Sequence, residues 1–186
     1  MIRDLHQRLP LANLWFVGSA LLLVLCLSRL HALGAPYADP VANLALQLAA
    51  NTEAFQSALA RFSADPAKLA NYQFWDALLP AAYALFLALL VGQLAQILAA
   101  AGKRGLALLG AGLSLVLPLA ALFDWIENQL LWSAFAGEPS AIPYYLEAGR
   151  HFSAAPKYLL LSMAAAWLVF ALLAVIAGRP RPDQVS

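Results

Sequence analysis

Four long apolar runs set the pattern of this chain. They cover residues 11–33, 76–101, 106–132 and 157–177. Each is near or above the ~20 residues that an α-helix needs to cross the hydrocarbon core of a bilayer. The pattern predicts an all-α integral membrane protein, a four-helix bundle that forms one membrane domain over residues 1–186.

The segment between the first two runs has a different pattern. Apolar side chains recur there at steps of three and four residues: Val41, Leu44, Leu48, Phe55, Leu59 and Phe62. With polar residues on the other faces, this spacing predicts an amphipathic helix of about 22 residues. Asp65 and Pro66 then predict the start of a second short helix towards Tyr72. We interpret residues 41–72 as an interfacial helical segment, lying on the membrane or across the bundle mouth.

Composition supports a membrane protein and excludes some partners. The chain is 63% hydrophobic and only 11% charged, whereas a soluble domain carries roughly 25% charged residues. The net charge is +1 and no basic run is longer than Lys103-Arg104, which argues against nucleic-acid binding. Cys26 is the only cysteine, so the chain cannot form an internal disulfide.

The basic residues predict an orientation. Six of them lie in three short segments: Arg3, Arg8, Lys103, Arg104, Arg179 and Arg181. The two longer connections carry fewer basic residues and more acids. The positive-inside rule therefore puts both termini in the cytoplasm and the longer connections outside. We expect a bacterial cytoplasmic (inner) membrane, with the amphipathic helix on its extracytoplasmic side.

Charged residues of four spans are expected at one depth. Asp124 lies 18 residues after Leu106, and Arg29 lies 18 residues after Leu11. At 1.5 Å per residue each is roughly 27 Å from the inner boundary. Asp76 and Lys157 open their spans from the outer side. The predicted layer near the outer boundary contains these side chains: Arg29, Asp76, Asp124, Glu127 and Lys157. Its formal charge of −1 could be met by a shared proton, a bound cation or cationic ligand, or Arg150.

The residue types of this layer suggest roles. Ionisable groups within a span are costly and usually mark a site. Asp124 and Glu127 share a helical face and are candidate acid and base groups. The expected ligand-binding residues are Arg29, Asp76, Tyr83, Asn128 and Lys157. The sequence contains no GxSxG, HExxH, HxxxH or DxDxDG pattern. We therefore assign no metal site, and leave open the cofactor and whether a reaction is catalysed.

Three functions fit these features. The first is a pocket that binds, and could act on, a lipid-like or amphipathic small molecule entering from the outer leaflet. The second is a non-enzymatic partner subunit or assembly factor, in which the charges only fix helix order. The third is a proton- or cation-coupled carrier, which would require a homo-oligomer because four helices leave a narrow path. Gln93 and Gln96 are the candidates for the inner half of such a path.

Two resemblances come from short motifs. Phe74-Trp75-Asp76 with Pro80 and Tyr83, Asp124 with Glu127-Asn128, and a lysine opening the fourth span resemble small four-span bacterial membrane proteins of uncharacterised function. This resemblance implies no chemistry. The four-span layout with intramembrane acids is also similar to the sterol-isomerase and sigma-2-receptor group, as an analogy for an acidic pocket beneath an interfacial lid.

Overall fold

The computed structural model describes residues 2–137 and 141–177, which are helical apart from short turns. The helices are α1 (Ile2–Ala32), α2 (Pro40–Gln47), α3 (Thr52–Ser63), α4 (Pro66–Ala100), α5 (Arg104–Phe135), α6 (Ala141–Tyr144), a π-helical segment (Tyr145–Ala154) and α7 (Ala155–Ala177). No strand occurs within these two ranges. The prediction of an all-α protein is confirmed.

Four of these helices, α1, α4, α5 and α7, are long and apolar enough to cross a membrane. Their outer faces carry large apolar side chains; Leu14, Leu115 and Phe170 are 67%, 80% and 64% exposed. A monomeric protein in water rarely shows such continuous apolar surface. The four apolar helices predicted from the sequence are therefore present, and their exposed faces are apolar, as contact with lipid requires.

The second span is longer than predicted. Residues 66–75 do not form a separate short helix but are the first turns of α4, which is continuous from Pro66 to Ala100. The Asp65 side chain caps the helix by accepting from the Lys68 N–H at 3.0 Å. No breaker follows until Pro80, and the helix continues through that buried proline. Neighbouring helices and local backbone adjustment allow prolines within membrane helices.

The predicted single amphipathic helix over residues 41–62 is wrong, because this segment forms two helices. α2 ends at Gln47, and Asn51 takes an extended backbone before α3. The Asn51 side chain accepts a hydrogen bond from the Ala54 N–H at 2.9 Å. An asparagine that caps a new helix offers the backbone a better partner than continuation of the old helix.

The α2–α3 layer covers one end of the bundle. Phe55 and Phe62 of α3 are fully buried. The Phe55 ring lies 5.3 Å from that of Tyr145, and the Phe62 ring lies 5.8 Å from that of Tyr72. The Arg150 guanidinium donates to the Ala49 carbonyl at 2.8 Å. The apolar face of α3 is therefore part of the protein core.

Two apolar clusters fill the bundle at different heights. The first lies under α2 and α3 and includes Leu46, Tyr72 and Leu131. The second lies at the opposite end of α4, α5 and α7 and includes Leu98 and Leu113. Within the bundle, α4 packs along both α1 and α5, while α7 packs mainly on α5. The charged residues discussed below lie between the two clusters.

Substitution of Gly110 by alanine should destabilise the bundle. A Cβ at Gly110 would overlap the buried ring of Trp167, with the ring Cε2 only 2.7 Å away. Overpacking of this kind costs about 1–3 kcal/mol. We expect Gly110→Ala to lower the midpoint of thermal unfolding in detergent. Gly112→Ala is the matched control, because a Cβ there meets nothing within 4 Å; equal midpoints for the two variants would contradict this packing.

The attachment of α2 and α3 should weaken at alkaline pH. Tyr37 precedes α2, and its hydroxyl donates to the Phe62 and Asp65 carbonyls at 2.6 and 3.3 Å. Burial, and secondarily the Asp65 carboxylate, raises the pKa of Tyr37 above its ordinary value of 10.0. A raised folded-state pKa means stability that is complete below pH 10 and is lost as the pH rises through the folded-state pKa.

Hydrogen exchange read by mass spectrometry tests this attachment. Protection of residues 40–63 should fall as the pH rises above about 10, after correction for intrinsic exchange. Tyr37→Phe should lower the protection of these residues already at neutral pH. The further fall in protection at alkaline pH should then be smaller than in the parent protein. An alkaline profile that is identical in Tyr37→Phe and the parent protein would refute the role of this hydroxyl.

Candidate functional site

One lysine joins two acidic side chains of the neighbouring helix. The Lys157 ammonium donates to Asp124 Oδ1 at 2.9 Å and also to Glu127 Oε2. All three side chains are withdrawn from the surface: Lys157 is 5% exposed, Asp124 13% and Glu127 0%. We call Asp124, Glu127 and Lys157 the charged triad. It joins the start of α7 to the C-terminal half of α5.

Two tyrosines complete the coordination of the triad. The Tyr83 hydroxyl donates to Asp124 Oδ2 at 2.9 Å, and the Tyr145 hydroxyl donates to Glu127 Oε1 at 2.9 Å. Each oxygen of both carboxylates therefore accepts a hydrogen bond. A buried charge is tolerated when its polar atoms have partners. The sequence predicted Tyr83 at this place but missed Tyr145.

Local sequence explains how the triad forms. Asp124 and Glu127 are three residues apart on α5 and so lie on one face. Lys157 is the third residue of α7. Tyr145 opens the π-helical segment that leads into α7. Its sequence, within Ile-Pro-Tyr-Tyr-Leu, indicates only an aromatic interfacial stretch, so nothing local identifies Tyr145 as the partner of Glu127.

Asp76 lies beside the triad but does not join it. Its carboxylate makes no hydrogen bond or ion pair with any residue in the described ranges. Its backbone carbonyl accepts from Asn128 Nδ2 at 3.3 Å, and the next carbonyl, of Ala77, accepts from Trp125 Nε1 at 2.7 Å. These bonds hold α4 against α5. Asn128 is buried, and its amide is engaged with the Asp76 carbonyl. It does not line the cavity that is described next.

A cavity of about 830 Å³ faces these acids. The acidic and basic residues Asp76, Asp124 and Lys157 form part of its lining. The remainder comes mostly from apolar and aromatic residues: Leu27, Leu30, Leu44, Tyr72, Leu79, Tyr158 and Leu161. Ser28 and His31 of α1, with Asn43 and Gln47 of α2, add polar groups. The cavity lies between α1 and α7, beneath α2, and it is open to the outside of the bundle.

Arg29 does not join the charged layer, and this part of the prediction is wrong. Arg29 is exposed, and its guanidinium carbon lies 5.8 Å from the Trp75 ring centroid. The depth calculation fixed the height of Arg29 but not its direction around the helix. Leu27, Ser28, Leu30 and His31 line the cavity while Arg29 does not. The residues that converge are Asp76, Asp124, Glu127 and Lys157.

Glu127 is not placed for its predicted role as an acid or base, which requires access to a bound molecule. It is fully buried and does not line the cavity. Asp124, by contrast, is partly exposed and lines it. Within the described residues, no group of three His, Cys, Asp or Glu side chains could hold a metal ion. His31 lines the cavity, and His151 does not.

No protein-family model, curated protein or solved structure matches this chain. The resemblances drawn from short motifs stay predictions. The chemistry of the site is therefore read from its own groups. The triad and Asp76 carry three acids and one ammonium, a formal charge of −2. A carboxylate without a partner at an apolar wall favours a hydrogen-bond donor or a cation.

Removal of the lysine should unbalance the triad. In Lys157→Met, two buried carboxylates lose their shared cation, and breaking a buried pair costs about 3–5 kcal/mol. We expect a large fall in the thermal midpoint in detergent. The triple variant Lys157→Met, Asp124→Asn, Glu127→Gln should recover more than half of that loss, because no unpaired charge remains. If the triple variant is no more stable than Lys157→Met, the loss reflects packing rather than charge.

Proposed function

We propose that this protein binds a lipid-like or amphipathic small molecule in the cavity between α1 and α7. The single observation that carries the proposal is the Asp76 carboxylate, which has no partner in the described ranges and borders an open cavity of about 830 Å³. Ligand sites are typically concave and mostly apolar, with a few polar groups that orient the ligand. The size and lining of this cavity agree with that description.

The arrangement assigns an orientation to the ligand. Its polar end would donate hydrogen bonds, or carry positive charge, towards Asp76 and Asp124. Its apolar part would lie along Leu27 of α1 and Leu161 of α7, which line the cavity. The molecule would enter between these two helices from the bilayer, without passing α2. Glu127, Tyr145 and Lys157 would then hold Asp124 in place, and Tyr83 would fix its second oxygen.

Catalysis on the bound molecule is a further step of this proposal. Asp76 and Asp124 are the acids that line the cavity, so acid–base work would fall to them rather than to Glu127. A general acid or base must reach the proton that it transfers. Ser28 is the hydroxyl nucleophile of the α1 wall, and His31 lies three residues further along the same wall. No hydrogen bond joins the two side chains in the described residues, and a nucleophile needs such a contact with its base.

The membrane setting is part of the same proposal. The distribution of lysines and arginines favours cytoplasmic termini in a bacterial inner membrane, with α2 and α3 on the outer side. In that setting the cavity lies at the depth of the outer leaflet. The covering of the bundle end by α3, through Phe55 and Phe62, supports a lid more than a helix that floats in the interface.

A structural role in assembly is the second candidate, and the charged triad is the observation that favours it. Lys157 pairs directly with both acids, as a network that fixes helix order would require. The carrier has less support. The inner half of α4, α5 and α7 is filled by the cluster around Val91, Leu113 and Leu117. The buried side-chain nitrogen of Gln93, expected on the path of a carrier, has no hydrogen-bond partner among the described residues that would continue such a path.

Ligand binding can be tested with amphiphiles that share one chain and differ in their heads. Dodecylamine, dodecanol and dodecanoate would be added to the purified protein, and the thermal midpoint measured. We expect the amine and the alcohol to raise the midpoint and the carboxylate to leave it unchanged, because the site presents acceptors. Asp76→Asn should raise the half-saturating concentration of the amine at least about tenfold, because one charge-assisted contact contributes about 1.5–3 kcal/mol.

Asp65→Asn is the matched control for the acid-to-amide change. Asp65 caps α4 outside the cavity, and asparagine caps helices equally well. It should bind the amine as the parent protein does. Native mass spectrometry of gently purified parent protein should also show a retained molecule that Asp76→Asn lacks. Midpoints that are raised equally in both variants, or by none of the three amphiphiles, would contradict the binding proposal and leave the structural role.

A further inference from the structure

A second cavity, separate from the one above, lies at the other end of the bundle. It has a volume of about 410 Å³ and follows the seam between α4 and α5. The α4 wall consists of Gly92, Ala95, Gln96 and Ala99, and the α5 wall consists of Arg104, Ala107, Leu108, Ala111 and Ser114. We call this feature the seam groove. It shares no residue with the cavity beside Asp76.

The groove exists because small side chains line both helices. At Gly92 an added Cβ would be 3.8 Å from the Ser114 side chain, an ordinary contact. The two helices are therefore close at this point, and the furrow is left by the shortness of the side chains that line it. From Arg104 to Ser114 the furrow extends ten residues along α5, about 15 Å. It begins at the polar end of the helix pair and runs towards the middle of the membrane.

Positive charge stands at the polar end of the groove. Arg104 lines it, Lys103 precedes it, and both are exposed. Neither makes an ion pair with any residue of the described ranges. Lys103 is the N-cap of α5 and provides no side-chain cap, so the first N–H groups of this helix are left for another acceptor. A negatively charged group fits this end of the groove.

Polarity changes with depth in the order of a phospholipid. The cations lie at the membrane surface, in the turn that joins two spans. Gln96 is exposed on the groove wall, four residues inside the end of α4, or about 6 Å deeper. Below it the walls are Gly92, Ala95, Ala111 and Ser114, whose hydroxyl donates to the Ala111 carbonyl at 2.8 Å. Phosphate, glycerol ester and acyl chain follow one another along a lipid at comparable depths.

We infer that the seam groove is a binding site for an anionic phospholipid. The phosphate lies at Lys103 and Arg104, the ester region within reach of the Gln96 amide, and one acyl chain lies in the furrow. The charge complementarity selects an anionic lipid over a zwitterionic one. The inference is independent of the proposed function, since the two cavities share no residue.

Native mass spectrometry with added lipid tests this site. Phosphatidylglycerol and phosphatidylcholine of the same chains would be titrated onto delipidated protein. We expect one phosphatidylglycerol to be retained in preference to phosphatidylcholine. Lys103→Gln with Arg104→Gln should weaken it roughly 30-fold, because each surface cation contributes a factor of about five. Arg61→Gln with Lys68→Gln removes two exposed cations elsewhere and should change nothing.

The furrow is tested separately from the cations. Gly92→Leu fills the groove and leaves Lys103 and Arg104 intact, whereas Gly112→Leu adds the same side chain at an open position outside it. We expect Gly92→Leu to lose the bound lipid and Gly112→Leu to keep it. Soluble glycerol phosphate should not compete. Competition by glycerol phosphate, or equal retention by Gly92→Leu and the parent protein, would overturn the lipid assignment, as would equal retention by the Lys103, Arg104 variant.

Discussion

The contact of one ammonium with two carboxylates holds together the half of this protein that lies under α2 and α3. Lys157 reaches Asp124 and Glu127 across the α5–α7 interface, where Glu127 is fully buried and Lys157 and Asp124 are 5% and 13% exposed. Each isolated charge would cost several kcal/mol in such a place, and the cost falls only when partners satisfy it. Because the ammonium has two acceptors and each carboxylate has a tyrosine as well, the helices must meet in one register to satisfy all of them.

This constraint divides the bundle into two halves of different character. The half around Leu113 and Trp167 is apolar and relies on close approach at Gly110. The half under α2 and α3 holds the aromatic cluster, the charged triad and the cavity. In a bilayer the hydrophobic effect does not drive helices together, so packing and hydrogen bonds must do so. The polar bonds of Tyr83, Trp125 and Asn128 to neighbouring helices serve that purpose.

The same bonds explain why Asp76 stands apart. The neighbouring polar groups of α5 are engaged, Asn128 with the Asp76 backbone and Asp124 with Tyr83 and Lys157. The Asp76 side chain accepts no hydrogen bond from the described residues, and it borders the cavity lined by α1 and α7. An acid that carries no structural bond and faces a cavity differs in kind from Glu127, which is wholly enclosed by its partners.

The sequence by itself determined the four apolar helices, because each needs only a run of apolar residues long enough to cross a bilayer. It also predicted the height at which Asp76, Asp124 and Lys157 meet, since the helical rise is fixed. Height says nothing about direction, so the sequence could not show that Arg29 turns towards Trp75 or that Glu127 turns away from the cavity. The break at Asn51, the contact of Tyr145 with Glu127 and the space between α1 and α7 depend on residues far apart in the chain. Only the tertiary structure decided these features, because they arise from how helices rotate and pack against one another.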